Sequence, residues 1–393
     1  MEQVRLGVIG LGNMGSEHCR CILAGKTPEI ALAAAADRRE SRREWAREHL
    51  PEGVPVFAEG SELIQSGLCD AVLIAVPHYQ HPALGVEAFR HGLHVLCEKP
   101  IAVYTLAARE LIAAAEESGR VFALMFNQRT NCVYRKIKEL LDGGELGALK
   151  RVNWIVTDWY RSQLYYDSGA WRATWAGEGG GALLNQCPHQ LDLLQWLCGL
   201  PTTVRAFCHE GKWHDIEVED DVTAYLEFAG GATGVFITST GDLPGTNRLE
   251  LTLDRGKLVC ENDELRLWRL PVSERAYCRA STDAFAKPPM EETVIETDGL
   301  NPQHAGVLNA FAANLLRGEP LVARGEEGLN GLLLSNAMHL SSWLGKPVTL
   351  PFDEALFLRL LDERRATSRH KEDRDVTFAT DHSYGGRTVE EDA

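Results

Sequence analysis

Short apolar runs, each stopped by a turn-forming or charged residue, mark the first third of the chain. Val4–Ile9 ends at Gly10, Ile30–Ala36 at Asp37 and Ala71–Val76 at Pro77, and Leu93–Cys97 and Val121–Phe126 follow. Between them lie stretches with helical spacing: Met14–Ala24 closed by Gly25, the charged segment Arg38–His49, a helix opened by Pro82 and ending near Gly92, and Thr105–Ser118. Apolar runs of strand length alternating with helices predict parallel strands joined by crossovers. Residues 1–125 are therefore expected to form a doubly wound α/β domain of the Rossmann type.

The pattern changes near residue 150. Lys150–Thr157, Val204–His209, Val222–Phe228, Gly234–Ser239, Arg248–Leu253, Lys257–Glu261 and Leu265–Leu270 are strand-like, with Gly230-Gly231 as a hairpin turn between two of them. Helical patterns return at Ala182–Cys198, Ala305–Leu316 and Gly328–Leu344. Residues 126–352 thus read as an α+β domain on a large, mainly antiparallel open sheet. One face of such a sheet is free to bury against another subunit, which predicts a homodimer or homotetramer. Residues 353–393 read as a C-terminal helix and a charged tail, expected to be extended or poorly ordered beyond about residue 370.

A chain of 393 residues with 45% hydrophobic and 24% charged residues can bury a large core without staples. Its formal charge of −16 argues against nucleic acid and anionic membranes as partners. The same charge does not help to steer anionic substrates, although local basic patches can override it. The ten cysteines are scattered, without a CxxC pair, which fits reduced thiols and a cytoplasmic location. No signal peptide is expected before Val4, and no apolar run reaches the roughly 18–20 residues that a membrane helix needs.

Gly10-Leu11-Gly12-Asn13-Met14-Gly15 is a GxGxxG that follows a strand and opens a helix. In that position the glycines permit a tight turn, a close approach of the backbone to a pyrophosphate, and packing of helix on strand. The helix N-terminus adds amide donors for the phosphates. Asp37, at the end of the second strand, can accept both ribose hydroxyls and repels a 2′-phosphate, so NAD is expected. Arg38 and Arg39 keep NADP open, and a helix cap is a second role for Asp37.

Glu98-Lys99-Pro100 closes the strand Leu93–Cys97, at the end of the sheet where ligands sit. A lysine buried beside a nicotinamide would have a depressed pKa, suited to moving a hydroxyl proton. After Gly179-Gly180-Gly181, Asn185 and His189 are four apart and share a helical face, with Asp192 able to orient the His189 ring. The polar stripe needs partners, which a bound polyol would supply. In Trp159–Tyr166, aromatic side chains alternate with long polar ones, as sugar recognition requires, and Tyr160, Arg161 and Gln163 are the candidate substrate residues. An interface loop or ordinary core aromatics is an equal reading of that segment. No cluster has zinc spacing, so no metal is expected.

These motifs together resemble the Gfo/Idh/MocA oxidoreductase family. The likeness rests on Gly10–Gly15, on Ala75-Val76-Pro77 followed by His81-Pro82, on Glu98-Lys99-Pro100, on the glycine triplet, and on Gly345-Lys346-Pro347-Val348 with Leu350-Pro351. It implies that Lys99 is the catalytic or substrate-orienting lysine, and it allows a cis bond before Pro100. It further implies that Pro77, His81, Glu98 and Asn127 belong to the cofactor side, and that Trp171 and Arg172 reach the cofactor from the second domain. The family usually has Asp where this chain has Asn185. An amide cannot act as a base, so acid–base work falls to Lys99 and His189. The expected activity is hydride transfer between NAD (or NADP) and a secondary hydroxyl or keto carbon of a sugar, glycoside, anhydrosugar or inositol. A glycoside hydrolase using transient oxidation and a non-catalytic dinucleotide-binding regulator are the alternatives.

Overall fold

The apolar runs of the first domain become parallel strands because they are buried on both faces. In the computed structural model, which describes residues 2–372, they are β1 Val4–Ile9, β2 Ile30–Ala36, β3 Val56–Phe57, β4 Ala71–Ile74, β5 His94–Cys97 and β6 Phe122–Leu124. All pairs are parallel and the sheet order is β3-β2-β1-β4-β5-β6. The order reverses between β1 and β4, which opens a crevice at their carboxyl ends. Gly10 leaves β1 and Ala75–Pro77 leaves β4 at that place.

The second sheet holds β7 Leu149–Val156, β8 Thr203–Glu210, β9 Glu219–Glu227, β10 Thr233–Ser239, β11 Asn247–Leu253, β12 Gly256–Glu261, β13 Glu264–Arg269, β14 Glu291–Ile295 and β15 Val348–Thr349. Their order is β14-β13-β12-β11-β7-β10-β9-β8-β15. Only the central β7–β10 pair is parallel. One face packs Trp154 and Phe236 edge to face in the core, while Phe207, Tyr225 and Val294 stand exposed. All ten cysteines are unpaired.

Two helices lock the domains together. Gln303–Arg317 crosses the expected boundary: its Val307, Leu308 and Phe311 pack in the same core as Val4, Leu6 and Val8 of β1. In the buried helix Gly328–Leu344, Asn336 accepts from the Thr105 amide (3.2 Å) and donates to the Val103 carbonyl (3.1 Å). Arg129 makes a third tie. Buried at the edge of the first domain, it meets both Asp192 oxygens (2.7 and 2.8 Å) and Glu327 (2.5 Å).

Several features depart from the sequence reading. The helices Cys132–Asp142 and Gly60–Gln65 lie where no element was expected. The single helix expected over Ala182–Cys198 is divided into a π-turn, Ala182–Gln186, and an α-helix, Pro188–Cys198. Pro188 has no amide hydrogen and sits where a helix begins, so an α-helix cannot run through it. The C-terminal helix is Glu354–Ala366, capped by Asp353, and the tail beyond residue 372 lies outside the described residues.

Candidate functional site

One continuous cleft of about 860 Å³ runs from the glycine turn to the second domain. At its first-domain end the glycines have distinct steric reasons. A Cβ on Gly10 (φ +93°) would stand 2.4 Å from the Ala75 carbonyl oxygen, and one on Gly15 would stand 1.7 Å from the Gly10 carbonyl. Gly12 faces open space and opens the helix Asn13–Leu23 as its cap. A bare backbone at a helix N-terminus, with room in front of it, fits a pyrophosphate. Asp37 lines the cleft at the end of β2, accepting from the amides of Leu11 (2.7 Å) and Arg39 (2.8 Å). Arg38 pairs with Glu59 (2.8 Å). The residues present therefore fit NAD.

At the end of β5, Glu98 is buried and shares a hydrogen bond with His18 (2.8 Å). Burial alone would raise its carboxyl. The His18 hydrogen bond, with the charges of His18, His304 and Lys99, outweighs burial and holds it at about 2. His304 packs edge-on against His18, and burial is the main cause that lowers it to about 4. The Lys99–Pro100 bond is cis. Lys99 lines the cleft and its Nζ donates to the Asn185 carbonyl (2.9 Å). Burial lowers the Lys99 pKa, helped by the charges of Arg172 and Arg161 and opposed by Glu98 and Glu178.

Facing this corner is the segment after the glycine triplet. Glu219 is fully buried and accepts from the amides of Gly181 and Leu183 (2.9 Å each), which anchors the π-turn. Asn185 donates to Glu178 and, at 3.3 Å, to the Tyr165 hydroxyl. Glu178 also accepts from the Ala173 amide (2.5 Å). Burial raises the Glu178 carboxyl to about 7, opposed by Arg172 and by the two donors. His189 lines the cleft near Phe126; burial and then the Lys99 charge push its pKa well below the usual histidine range. Its Nδ1 is buried with no partner among the described residues. The neutral tautomer with the proton on Nε2 leaves only an acceptor stranded, which is less costly than a stranded donor.

The remaining predicted residues divide. Gly10, Gly12, Asn13, Met14, Asp37, Arg38, Pro77 and Glu98 line the first-domain side of the cleft. Tyr160, Arg161, Trp171 and Arg172 line the second-domain side with Asn185 and His189. Three lie outside the lining. His81 turns both ring nitrogens towards carbonyls, Nδ1 to Pro100 (2.7 Å) and Nε2 to Val76 (2.8 Å); burial lowers its pKa, so the neutral ring donates to one of them, which braces the turn that carries Lys99. Asn127 is fully buried and donates to Gln303 (2.5 Å). Gln163 bonds Asp167 and the backbone of Asp215. Asp192 does not orient His189, because Arg129 and Gln195 occupy its oxygens.

The motif reading gave no role to His18, His78 or Glu178. His78 bonds the Glu178 carbonyl (3.2 Å) and packs edge-on against Trp171. The available signal for Glu178 was an acid directly before a glycine triplet in an apolar stretch. Among the described residues, no group of three histidines, cysteines or carboxylates could hold a metal, and no helix is long and apolar enough to cross a membrane.

Residues 4–126 match the family model for the oxidoreductase family, NAD-binding Rossmann fold, and residues 134–259 match the GFO/IDH/MocA C-terminal domain. The myo-inositol 2-dehydrogenase of Thermotoga maritima is 25% identical over 341 residues, 85% of this chain and 95% of that protein. The rhizopine catabolism protein MocA of Rhizobium meliloti is 30% identical over 207 residues, 52% of this chain but only 61% of that protein. Among solved structures, the WlbA dehydrogenase of Bordetella pertussis in complex with NADH and UDP-GlcNAcA is 26% identical. It superposes with a TM-score of 0.74 over 89% of this chain and 100% of that one.

Proposed function

The chain belongs to the GFO/IDH/MocA oxidoreductase family, an NAD-binding enzyme family with a Rossmann first domain, and from that premise we propose that it oxidises a secondary hydroxyl of a sugar or cyclic polyol, or reduces the matching ketone. The observation that carries the reading is the shared cleft, in which Lys99 donates to the Asn185 carbonyl within one cavity that also holds the glycine turn. The names of relatives support the substrate class, since the Thermotoga protein is an inositol dehydrogenase and WlbA was solved with a nucleotide sugar.

Bound NAD supplies the acceptor or donor of the hydride. The chain's residues do the rest. Lys99, with its lowered pKa, takes the proton from the substrate hydroxyl during oxidation and returns it during reduction. Neutral His189 donates a hydrogen bond to the reacting oxygen. Asn185, with its Nδ2 held by Glu178, leaves Oδ1 to accept from a neighbouring hydroxyl. The aromatic wall of Tyr160, Tyr165 and Trp171 meets the apolar face of the ring. Holding substrate and coenzyme in one orientation supplies much of the rate.

A screen of inositols, pyranoses, anhydrosugars and glycosides with NAD and with NADP, followed at the reduced-nicotinamide absorbance, tests this reading. Turnover of at least one polyol, with NAD preferred, is expected. Binding without turnover across the panel would reject it. The exposed sheet face with Phe207 and Tyr225 on adjacent strands supports a homodimer or homotetramer, which light scattering would refute by finding only monomer.

A further inference from the structure

The wall of the cleft carries a charge that a neutral polyol does not require. Arg161 and Arg172 both line the cavity and are half-buried there. Their guanidinium carbons lie 5.1 and 4.6 Å from the centre of the same Tyr165 ring. The hydrogen bonds they donate go to neutral oxygens: Arg161 to the Tyr160 carbonyl (3.0 Å) and Arg172 to the Tyr165 hydroxyl (2.9 Å). Among the described residues, neither has a carboxylate within ion-pairing distance. Arg38 in the same cleft, by contrast, is paired with Glu59, and buried Arg129 with Asp192 and Glu327.

The backbone of Arg161 is fixed. Its amide donates to the Thr240 carbonyl (3.0 Å), and its carbonyl is held by His214 Nε2 (2.9 Å). His214 is in turn gripped by Asp220 through Nδ1 (2.9 Å). The guanidinium thus hangs from a rigid base at the end of β10 into an aromatic-walled space, with donors left over. Planar guanidinium groups select oxyanions with two or more acceptor oxygens. The charges of both arginines also reach Lys99, where they work against its protonation.

We infer that the substrate is an anionic sugar whose carboxylate or phosphate ester is held by Arg161, with Arg172 beside it, on the second-domain wall of the cleft. This rests on the dehydrogenase reading and deepens it. The local basic pair overrides the unfavourable overall charge over the last few ångströms.

The test uses the full chain with NADH bound. Matched pyranoses are titrated calorimetrically: glucose, glucuronate and glucose 6-phosphate, and the galactose series. The charged members should bind roughly ten-fold or more tightly than the neutral parent, as expected for hydrogen bonds to a charged group. The preferred member tells carboxylate from phosphate. Added sodium chloride should weaken the charged sugars and leave the neutral ones unchanged, a readout that needs no variant. Arg161→Gln should bring the charged-to-neutral ratio close to one. Equal affinity for neutral and charged sugars, or no binding of any charged sugar, overturns the inference. So does a ratio that survives Arg161→Gln while NADH affinity falls, because the guanidinium then serves the coenzyme. If charged sugars bind as expected but none reduces NAD, the anion site stands and the dehydrogenase reading fails.

Discussion

Replacing Glu178 by glutamine separates two things the site does with one carboxyl. Glu178 is 1% exposed, and its two oxygens accept from the Ala173 amide and from Asn185 Nδ2. Burial is the main cause that raises it to about 7 from an ordinary 4.5, with Glu219 adding to the shift and Arg172 and the two donors opposing it. That difference corresponds to roughly 3 kcal/mol, at 1.36 kcal/mol per tenfold change, for holding the ionised form in this pocket. As a carboxylate, Glu178 can only accept, so Asn185 must turn Nδ2 towards it and offer Oδ1 to the substrate. As an acid it can donate, and it competes for the same Oδ1.

The two consequences have opposite signs. A carboxyl raised in the folded state contributes stability that is fully present below pH 4.5 and lost as the pH rises through about 7. Glu178→Gln removes that loss, so above pH 7 the variant should be more stable than the parent. The gain is up to about 3 kcal/mol, less about 1 kcal/mol for weaker hydrogen bonds. Activity should fall, because the new amide can donate to Asn185 Oδ1 and turn it away from the substrate. A loss of roughly ten- to a hundred-fold in kcat/KM is expected, the worth of a charge-assisted hydrogen bond. The assay is kcat/KM for polyol oxidation against pH, beside urea midpoints at acid and alkaline pH. Wild type should rise through an inflection near 7, and the variant should lack it. An unchanged inflection in the variant would refute the reasoning and assign the titration to another group.

Lys99→Met should lower kcat/KM by about 10²–10⁴, the usual worth of a positioned acid–base group, while the NADH dissociation constant from fluorescence stays within a few-fold of wild type. Gly12→Ala and Gly15→Ala should part company. The first adds a methyl to open space, so its melting temperature should match wild type while NAD affinity falls. The second puts a Cβ 1.7 Å from the Gly10 carbonyl, so both should fall, and calorimetry with and without coenzyme checks the contrast. Asp192→Asn leaves the Arg129 guanidinium, with its side chain 2% exposed, short of a carboxylate. Chemical unfolding should show a loss approaching the ~3–5 kcal/mol of a broken buried pair, moderated by Glu327.

What could be read from the sequence was what local order dictates. An apolar run that ends in glycine and opens a helix positions its own amides, so Gly10–Gly15, Asp37 and Lys99 stand at the strand ends where their spacing puts them. Periodicity reports which face is buried; it does not report which distant polar group meets it there. His18 and Glu98 are 80 positions apart, and Asn336 reaches Thr105 across 231. His81 was placed beside the coenzyme because it follows Pro77, yet both its ring nitrogens face backbone carbonyls. Asp192 was assigned to His189 by helical spacing, and the nearer claim of a buried guanidinium took it. Gln303–Arg317 has an ordinary amphipathic pattern, and nothing in that pattern says which sheet it covers. Beside the acid before the glycine triplet, the local signal overlooked was Pro188. It ends the π-turn, starts the α-helix and so shifts Asn185 off the face that a continuous helix would have shared with His189. The freed Asn185 carbonyl is the group that Lys99 holds. The break in the helix is therefore part of how the two domains bring their polar groups to one point.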